Sequence, residues 1–248
     1  MIAIFGTNHD DVLYFQSIMS NRQDSTVLRK YVISVGTIFN QEVVVVDSCY
    51  TTILSSALSS YIFNHYHIDL AYVVGRCVSL TKGLKSGDIV IANRVINIDV
   101  DQINDNNVVL GQVPGFGPEY KVQNDLIGYL SDALNKRAYI NPKVVTFLSC
   151  NDFSNANLEK IKDNFELLNL DKAATVDNAT GGVVISGQLY DVPIVSIRVV
   201  EKELGKGWDV EKYLFVLDKY VSLGKAVVSS IGDIGRNDVL FGGRSDDE

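Results

Sequence analysis

The stretch LTKGLKSGDIVIANRVINIDVD, Leu80 to Asp101, decides how the chain is read. A polar turn, Lys82-Gly83-Leu84-Lys85-Ser86-Gly87-Asp88, delivers the continuous apolar run Ile89-Val90-Ile91. Such a run, bounded by turn residues, is the pattern of a strand buried on both faces. Asp99 and Asp101 follow two residues apart, at strand period. The turn is either ordinary punctuation or part of an enzyme scaffold whose reacting groups lie elsewhere in the chain.

Working outward, Ile2–Phe5 predicts a first strand that ends at Gly6-Thr7-Asn8, and Glu42–Val46 a second buried one, β-branched throughout. Ser20–Ser25 reads as a polar segment, and Val27–Phe39 carries mixed strand signal. Ile53, Leu54, Ala57, Leu58, Tyr61 and Ile62 recur at helical spacing. Further strands are expected over Leu70–Val74, Ile89–Ile96, Val144–Leu148 and Pro193–Val200. Helices are expected over Asn124–Asn135, Asn157–Phe165, Thr175–Leu189 and Asp209–Ser230. Strands alternating with helices imply an α/β chain, a largely parallel sheet with helices outside. Without an internal repeat or long linker, one domain is expected over residues 1–231. Periodicity fades from Gly232, so residues 232–248 are expected to form a loose tail.

Composition narrows the function. The formal net charge is −8 and the pI near 4.9, the wrong field for a protein whose main task is gripping a phosphate backbone. Neither a membrane span nor a signal peptide is expected. Cys49, Cys77 and Cys150 are odd in number and far apart, which fits a reducing cytoplasm better than a disulfide framework. His9, His65 and His67 lack partners at ligand spacing, so no metal site and no cofactor are expected.

The order of short motifs carries more. Leu84-Lys85-Ser86-Gly87-Asp88-Ile89-Val90 precedes Asp99-Val100-Asp101. Gly111-Gln112-Val113-Pro114-Gly115 follows, then Lys160-Ile161-Lys162-Asp163-Asn164-Phe165, then Asp191-Val192-Pro193-Ile194-Val195-Ser196-Ile197-Arg198. In order and spacing these resemble the nucleoside phosphorylase/nucleosidase superfamily, most of all its methylthioadenosine/S-adenosylhomocysteine nucleosidases, from Met1 to about Ser230. The resemblance implies a single domain with a central twisted mixed β-sheet flanked by helices, usually as a homodimer, and a purine nucleoside or related small molecule as ligand.

Residue by residue, the resemblance carries over unevenly. A nucleosidase needs a carboxylate that positions water, an acid that protonates the leaving purine, and a ligand for the ribose hydroxyls. Asp11 falls at the water-activating glutamate, one methylene shorter; alternatively, Asp10 and Asp11 only open a helix. At the acid's place the chain has Lys202, with Glu201 before it. Glu201 reaches that place if the loop shifts by one residue, and is otherwise a surface charge paired with Lys202 or Lys206. At the ribose glutamate stands Ala179, with Asp177 and Asn178 just upstream; Asp177 is also a natural helix cap. Two glycine-rich turns have become Ser48-Cys49-Tyr50-Thr51-Thr52 and Gly75-Arg76-Cys77-Val78-Ser79. Arg76 there either holds an anion such as phosphate or makes a structural ion pair. Phe153 falls at the aromatic that stacks on adenine, Trp208 at one near the 5′-substituent, Pro114 at the pocket lip, and Arg198 at a supporting arginine.

Three functions remain open. The altered acid and ribose positions imply a catalytically degenerate dimeric binding module. The alternatives are an active N-ribosyl hydrolase acting on methylthioadenosine or S-adenosylhomocysteine, and a phosphorylase with phosphate on Arg76.

Overall fold

The computed structural model describes residues 1–100, 109–154, 157–159, 161, 170, 174–206 and 210–234. The buried β-branched runs build its centre. In chain order, β1 (Ile2–Gly6) leads into helix α1 (His9–Ile18). Strands β2 (Ser20–Val27), β3 (Tyr31–Ile38) and β4 (Gln41–Val46) follow, then α2 (Thr52–His65), β5 (Leu70–Ser79), β6 (Ile89–Asn97) and the short β7 (Tyr120–Lys121). Helix α3 (Asn124–Ala138), β8 (Lys143–Ser149), β9 (Ala174–Asp177), α4 (Thr180–Tyr190), β10 (Ile194–Glu203) and α5 (Val210–Ile234) complete it.

All strands join one mixed sheet in the order β10-β6-β8-β9-β5-β1-β4-β3-β2, with β7 on β6. Strand β10 also pairs with β5, so β5, β10, β6, β8 and β9 close into a ring. Strands β4, β1, β5 and β10 run parallel, while β6 and β9 pair antiparallel to β10 and β5. Closure removes edges that would otherwise template aggregation. The main core cluster spans β1, β4, β5, β6 and β10 under α1, α2, α3 and α5, and a smaller one lies around Val78, Leu148 and Val176.

The α/β single domain with a central mixed sheet is therefore as expected, with local corrections. Ser20–Ser25, a polar segment with no element assigned to it from the sequence, is most of β2, an edge strand exposed along nearly its whole length. It has no apolar alternation because it has no core face; backbone pairing to β3 holds it. The helical reading of Thr175–Leu189 merged β9 with α4. Asp99 lies in a turn after β6, not at strand period, and Asp101 lies outside the described residues. The last helix continues to Ile234, so the segment expected as a tail begins helical; residues 235–248 are not described. Among the described residues, no helix is long and apolar enough to cross a membrane.

The opening stretch turns out to position other elements. Asp99 accepts the Asn151 backbone N–H at 3.0 Å and its side-chain amide at 2.6 Å, and Asn151 in turn accepts the Thr52 N–H at 2.9 Å. This ties the N-terminus of α2 to the ends of β6 and β8. Gly87, at φ +88°, belongs to a tight turn that Phe215 of α5 covers. That turn grips β10: Gly87 N–H donates to Val200 O at 2.8 Å and Val200 N–H to Asp88 O at 2.9 Å.

Candidate ligand cleft

A cleft of about 350 Å³ opens where several elements end together. Thr7 and Asn8 follow β1, Tyr50 follows β4, and Arg76, Cys77 and Val78 belong to the last part of β5. Phe153 follows β8, Asn178 follows β9, and Glu201 and Lys202 close β10. Crevices outside the carboxyl ends of strands in open α/β sheets are the usual place for ligands. Four expected site residues meet here: Arg76, Phe153, Asn178 and Glu201.

Glu201 arrives by a specific device. Residues pair one to one along β5 and β10 from Ile194/Ala71 to Val200/Cys77, and then Lys202 pairs with Val78. Glu201 is the extra residue of a β-bulge, which re-aims a side chain without breaking the strand. The turn of the opening stretch holds the bulge, with Ser86 Oγ donating to Glu201 O at 2.9 Å. The expected pairing of Glu201 with Lys202 or Lys206 does not form: Glu201 Oε1 accepts Arg76 Nη1 at 3.4 Å, and Lys206 pairs with Glu203 instead.

Beneath the cleft floor lies a polar cluster built around Arg198, the largest fully buried side chain. Its guanidinium donates to Thr7 Oγ1 at 2.5 Å, Thr180 Oγ1 at 2.9 Å, Val74 O at 3.3 Å and Ser196 Oγ at 3.3 Å. It also faces Asp177 Oδ1 at 3.4 Å, both side chains being wholly buried. Asp177 Oδ1 accepts the N–H groups of Ala179 and Thr180, each at 2.7 Å, at the start of α4. Asp177 is thus a structural anchor for α4 and for Arg198 rather than a cleft group, as its capping reading implied. Asn178 does reach the cleft, its amide bonded to Tyr50 O.

Asp11 also sits in this buried layer, behind Thr7 and Asn8, and does not line the cleft. Its Oδ2 accepts Asn8 N–H at 2.8 Å, while its Oδ1 is buried with no hydrogen-bond partner. Burial raises the Asp11 pKa; the Asn8 N–H, Arg76, Arg198 and the facing Tyr220 hydroxyl pull the other way. The Tyr220 hydroxyl from α5 is likewise buried without a well-formed bond, and burial and the Asp11 charge push its pKa well up. Gly75, at φ +144°, makes this proximity possible: a Cβ there would fall 2.6 Å from Arg198 Nη1, 2.7 Å from Asp11 Oδ2 and 2.8 Å from Thr7 Oγ1.

The remaining expected residues do not gather. Pro114 is exposed and lines no part of the cleft, and Trp208 lies outside the described residues. Thr7 and Asn8 were missed, although they follow the first predicted strand, where strand-end logic would have sought them; Tyr50, in one of the two altered turns, does line the cleft. Among the described residues, no three His, Cys, Asp or Glu side chains converge as metal ligands do. Cys77 lines the cleft, but burial drives its thiol pKa upward, away from nucleophilic use.

Comparison with known proteins places this architecture. The phosphorylase superfamily model matches residues 2–231. A methylthioadenosine/S-adenosylhomocysteine nucleosidase from a Geobacillus strain is 26% identical over 237 residues, covering 93% of this chain and 98% of the relative. The corresponding nucleosidase of an Exiguobacterium strain is 23% identical over 199 residues, covering 80% of this chain and 83% of its own length. Among solved structures, the Neisseria meningitidis nucleosidase in complex with methylthio-immucillin-A superimposes with a TM-score of 0.82 at 19% identity, over 94% of this chain and 98% of that one. The Campylobacter jejuni nucleosidase gives 0.83 at 18% identity, over 94% and 98%. At such identities the structures establish the fold, and the match along nearly the whole sequence establishes the family: the chain belongs to the phosphorylase superfamily and is nucleosidase-like within it.

Proposed function

We propose that the protein is a divergent, catalytically degenerate nucleosidase-family member whose cleft binds a purine nucleoside or a related small molecule, with weak or absent hydrolysis of methylthioadenosine and S-adenosylhomocysteine. One observation carries the reading. Among the described residues lining the cleft, Glu201 is the one carboxylate, and it is occupied as an acceptor of Arg76. A general acid must carry a proton to the leaving base, whereas a carboxylate held by a guanidinium is an acceptor. The loss of each acid–base group typically lowers a rate by about 10²–10⁴-fold. The ribose position is altered as well: Asp177 is spent on α4 and Arg198, leaving the Asn178 amide. Ligand binding is supported by the cleft's size and by Phe153 on its wall. Relatives bind purines or analogues, including a Borrelia burgdorferi homologue bound to adenine.

The bulge at Glu201 and the buried Asp11 carboxylate behind Thr7 and Asn8 favour a second reading, an active hydrolase with a rearranged acid. The phosphorylase reading has less support, because Arg76 already holds Glu201. A homodimer belongs to the same proposal; α2 and α4, packed together, expose the large apolar side chains Ile53 and Leu189. A cytoplasmic setting is supported by three free cysteines.

The test is adenine release from both nucleosides by purified protein, with and without phosphate, beside Asp11→Asn and Glu201→Gln. No release above the variants' background is expected. Phosphate-independent release abolished in either variant overturns degeneracy, and phosphate-dependent release supports a phosphorylase.

A further inference from the structure

Asp11 of α1 and Tyr220 of α5 are 3% and 6% exposed, and neither side chain lines the cleft. Their helices pack on each other. Tyr14, three residues after Asp11, lies against Gly224, four residues after Tyr220, where a Cβ would fall 2.4 Å from the Tyr14 ring. The bare backbone at Gly224 lets α5 come close enough to α1 for the Tyr220 hydroxyl to face the Asp11 carboxylate. The other groups around that carboxylate have partners of their own. Asn8 N–H donates to Oδ2 at 2.8 Å, and Arg76 of β5 faces Glu201. Arg198 of β10 spans Thr7, Thr180, Ser196 and the Val74 carbonyl. The Cys49 thiol, after β4, is kept protonated by burial. From α5, Tyr220 brings a neutral O–H donor to an acceptor whose Oδ1 is buried without a well-formed bond.

We infer that Tyr220 is the positioning residue of Asp11: facing the carboxylate from α5 while Asn8 N–H holds Oδ2, it keeps this group in the buried layer and out of reach of a ligand in the cleft. The inference deepens the degenerate reading and rests on it, since Asp11 is the group that the resemblance puts at the water-positioning place. A carboxylate that activates water must turn a free lone pair toward the bound ligand. Here Oδ2 is bound to the turn that starts α1, and Oδ1 is buried. A phenol O–H bonds an ionised carboxylate more strongly than a neutral one, so the contact is worth more where Asp11 is charged. Burial raises the Asp11 pKa, and the Tyr220 hydroxyl opposes that rise. Without the hydroxyl the folded value lies higher still. The stability that Asp11 contributes is complete below its ordinary 3.8 and is lost as pH rises through the folded value. Losing the hydroxyl therefore costs little at acidic pH and more at neutral pH.

The experiment is thermal unfolding of the purified chain, Tyr220→Phe, Asp11→Asn and the double variant from acidic to neutral pH, with Tyr72→Phe as the control. Tyr72 is equally buried, but its hydroxyl meets Ser230 Oγ at 2.9 Å, a group that does not titrate. The melting-temperature deficit of Tyr220→Phe is expected to grow by about 3 °C or more toward neutral pH. In the Asp11→Asn background it stays level, as does the deficit of Tyr72→Phe. A level deficit in Tyr220→Phe, or one that grows as much in the Asp11→Asn background, overturns the inference and leaves the degenerate reading standing. Adenine release from methylthioadenosine by the parent, abolished in Asp11→Asn, shows Asp11 in use and overturns both.

Discussion

Replacing Arg198 with methionine removes the group on which the buried layer beneath the cleft depends. The guanidinium is wholly buried and donates to two threonine hydroxyls, a serine hydroxyl and the Val74 carbonyl. It is also the ion-pair partner of Asp177, whose Oδ2 has no hydrogen bond. Methionine fills much of the space but leaves the Asp177 carboxylate buried opposite no positive charge. Breaking a buried pair from one side costs about 3–5 kcal/mol. In a domain of this size each kcal/mol moves the melting temperature by about 2–4 °C, so Arg198→Met is expected to melt roughly 6–20 °C below the parent. Asp177→Asn keeps an acceptor for the Ala179 and Thr180 N–H groups while removing the charge. The double variant should therefore be more stable than the sum of the single losses predicts, by about 1–3 kcal/mol of coupling. Urea and thermal unfolding followed by far-UV circular dichroism would measure the full cycle. An Arg198→Met protein within about 1 kcal/mol of the parent, or a strictly additive double variant, would refute the account of this layer.

Other consequences follow from individual positions. Burial raises the Asp11 pKa above its ordinary 3.8, so the folded chain holds that proton better than the unfolded one. The stability this contributes is complete below the ordinary value and is lost as pH rises through the folded value. Asp11→Asn escapes that loss, so its melting temperature relative to the parent should rise between acidic and neutral pH; a flat or falling difference would contradict the assignment. All three cysteines are buried, with burial pushing the Cys150 thiol up to about 12 and the other two higher still. A thiol reagent should label none of them until the chain is unfolded, and rapid native labelling would count against the packing described. Gly182 of α4 sits against α2, where a Cβ would fall 2.0 Å from Thr52 O and 2.2 Å from Ser55 Oγ. Gly182→Ala should cost at least about 1–3 kcal/mol by overpacking, whereas Gly128→Ala, on the exposed side of α3 with open space around it, should gain about 0.4–1 kcal/mol. Equal effects from the two substitutions, measured by urea unfolding, would contradict the helix contact.

What the sequence revealed, and what it hid, has physical causes. Ile2–Phe5, Val43–Val46 and Ile89–Ala92 were legible because strands buried on both faces must be apolar at every position, and these residues are 0–3% exposed. Strand β2 was hidden because nothing covers it, so its pairing leaves no hydrophobic trace. Strand β9 was hidden because it is four residues long and runs almost directly into α4. The site divides the same way. Arg76, Phe153, Asn178 and Glu201 were singled out by the resemblance to the nucleosidases, and the cleft does unite them. A residue count could not reveal that Asp177 points into the protein while Asn178 points out, since adjacent side chains diverge at a strand end. Nor could it fix the bulge that turns Glu201 toward Arg76. That depends on a hydrogen bond from Ser86, more than a hundred residues earlier in the chain. The motif that first identified the scaffold thus shapes the site at a distance.

The central claim is that the scaffold persists and binds while the proton donor for glycosidic cleavage is gone. A single-turnover measurement tests it most directly, with protein in excess over methylthioadenosine, inosine or guanosine and free base quantified over hours. The account predicts bound nucleoside recovered intact, with release no faster in the parent than in Glu201→Gln. Release of base that depends on the protein and disappears in Glu201→Gln would contradict it, and would make the bulged carboxylate the acid.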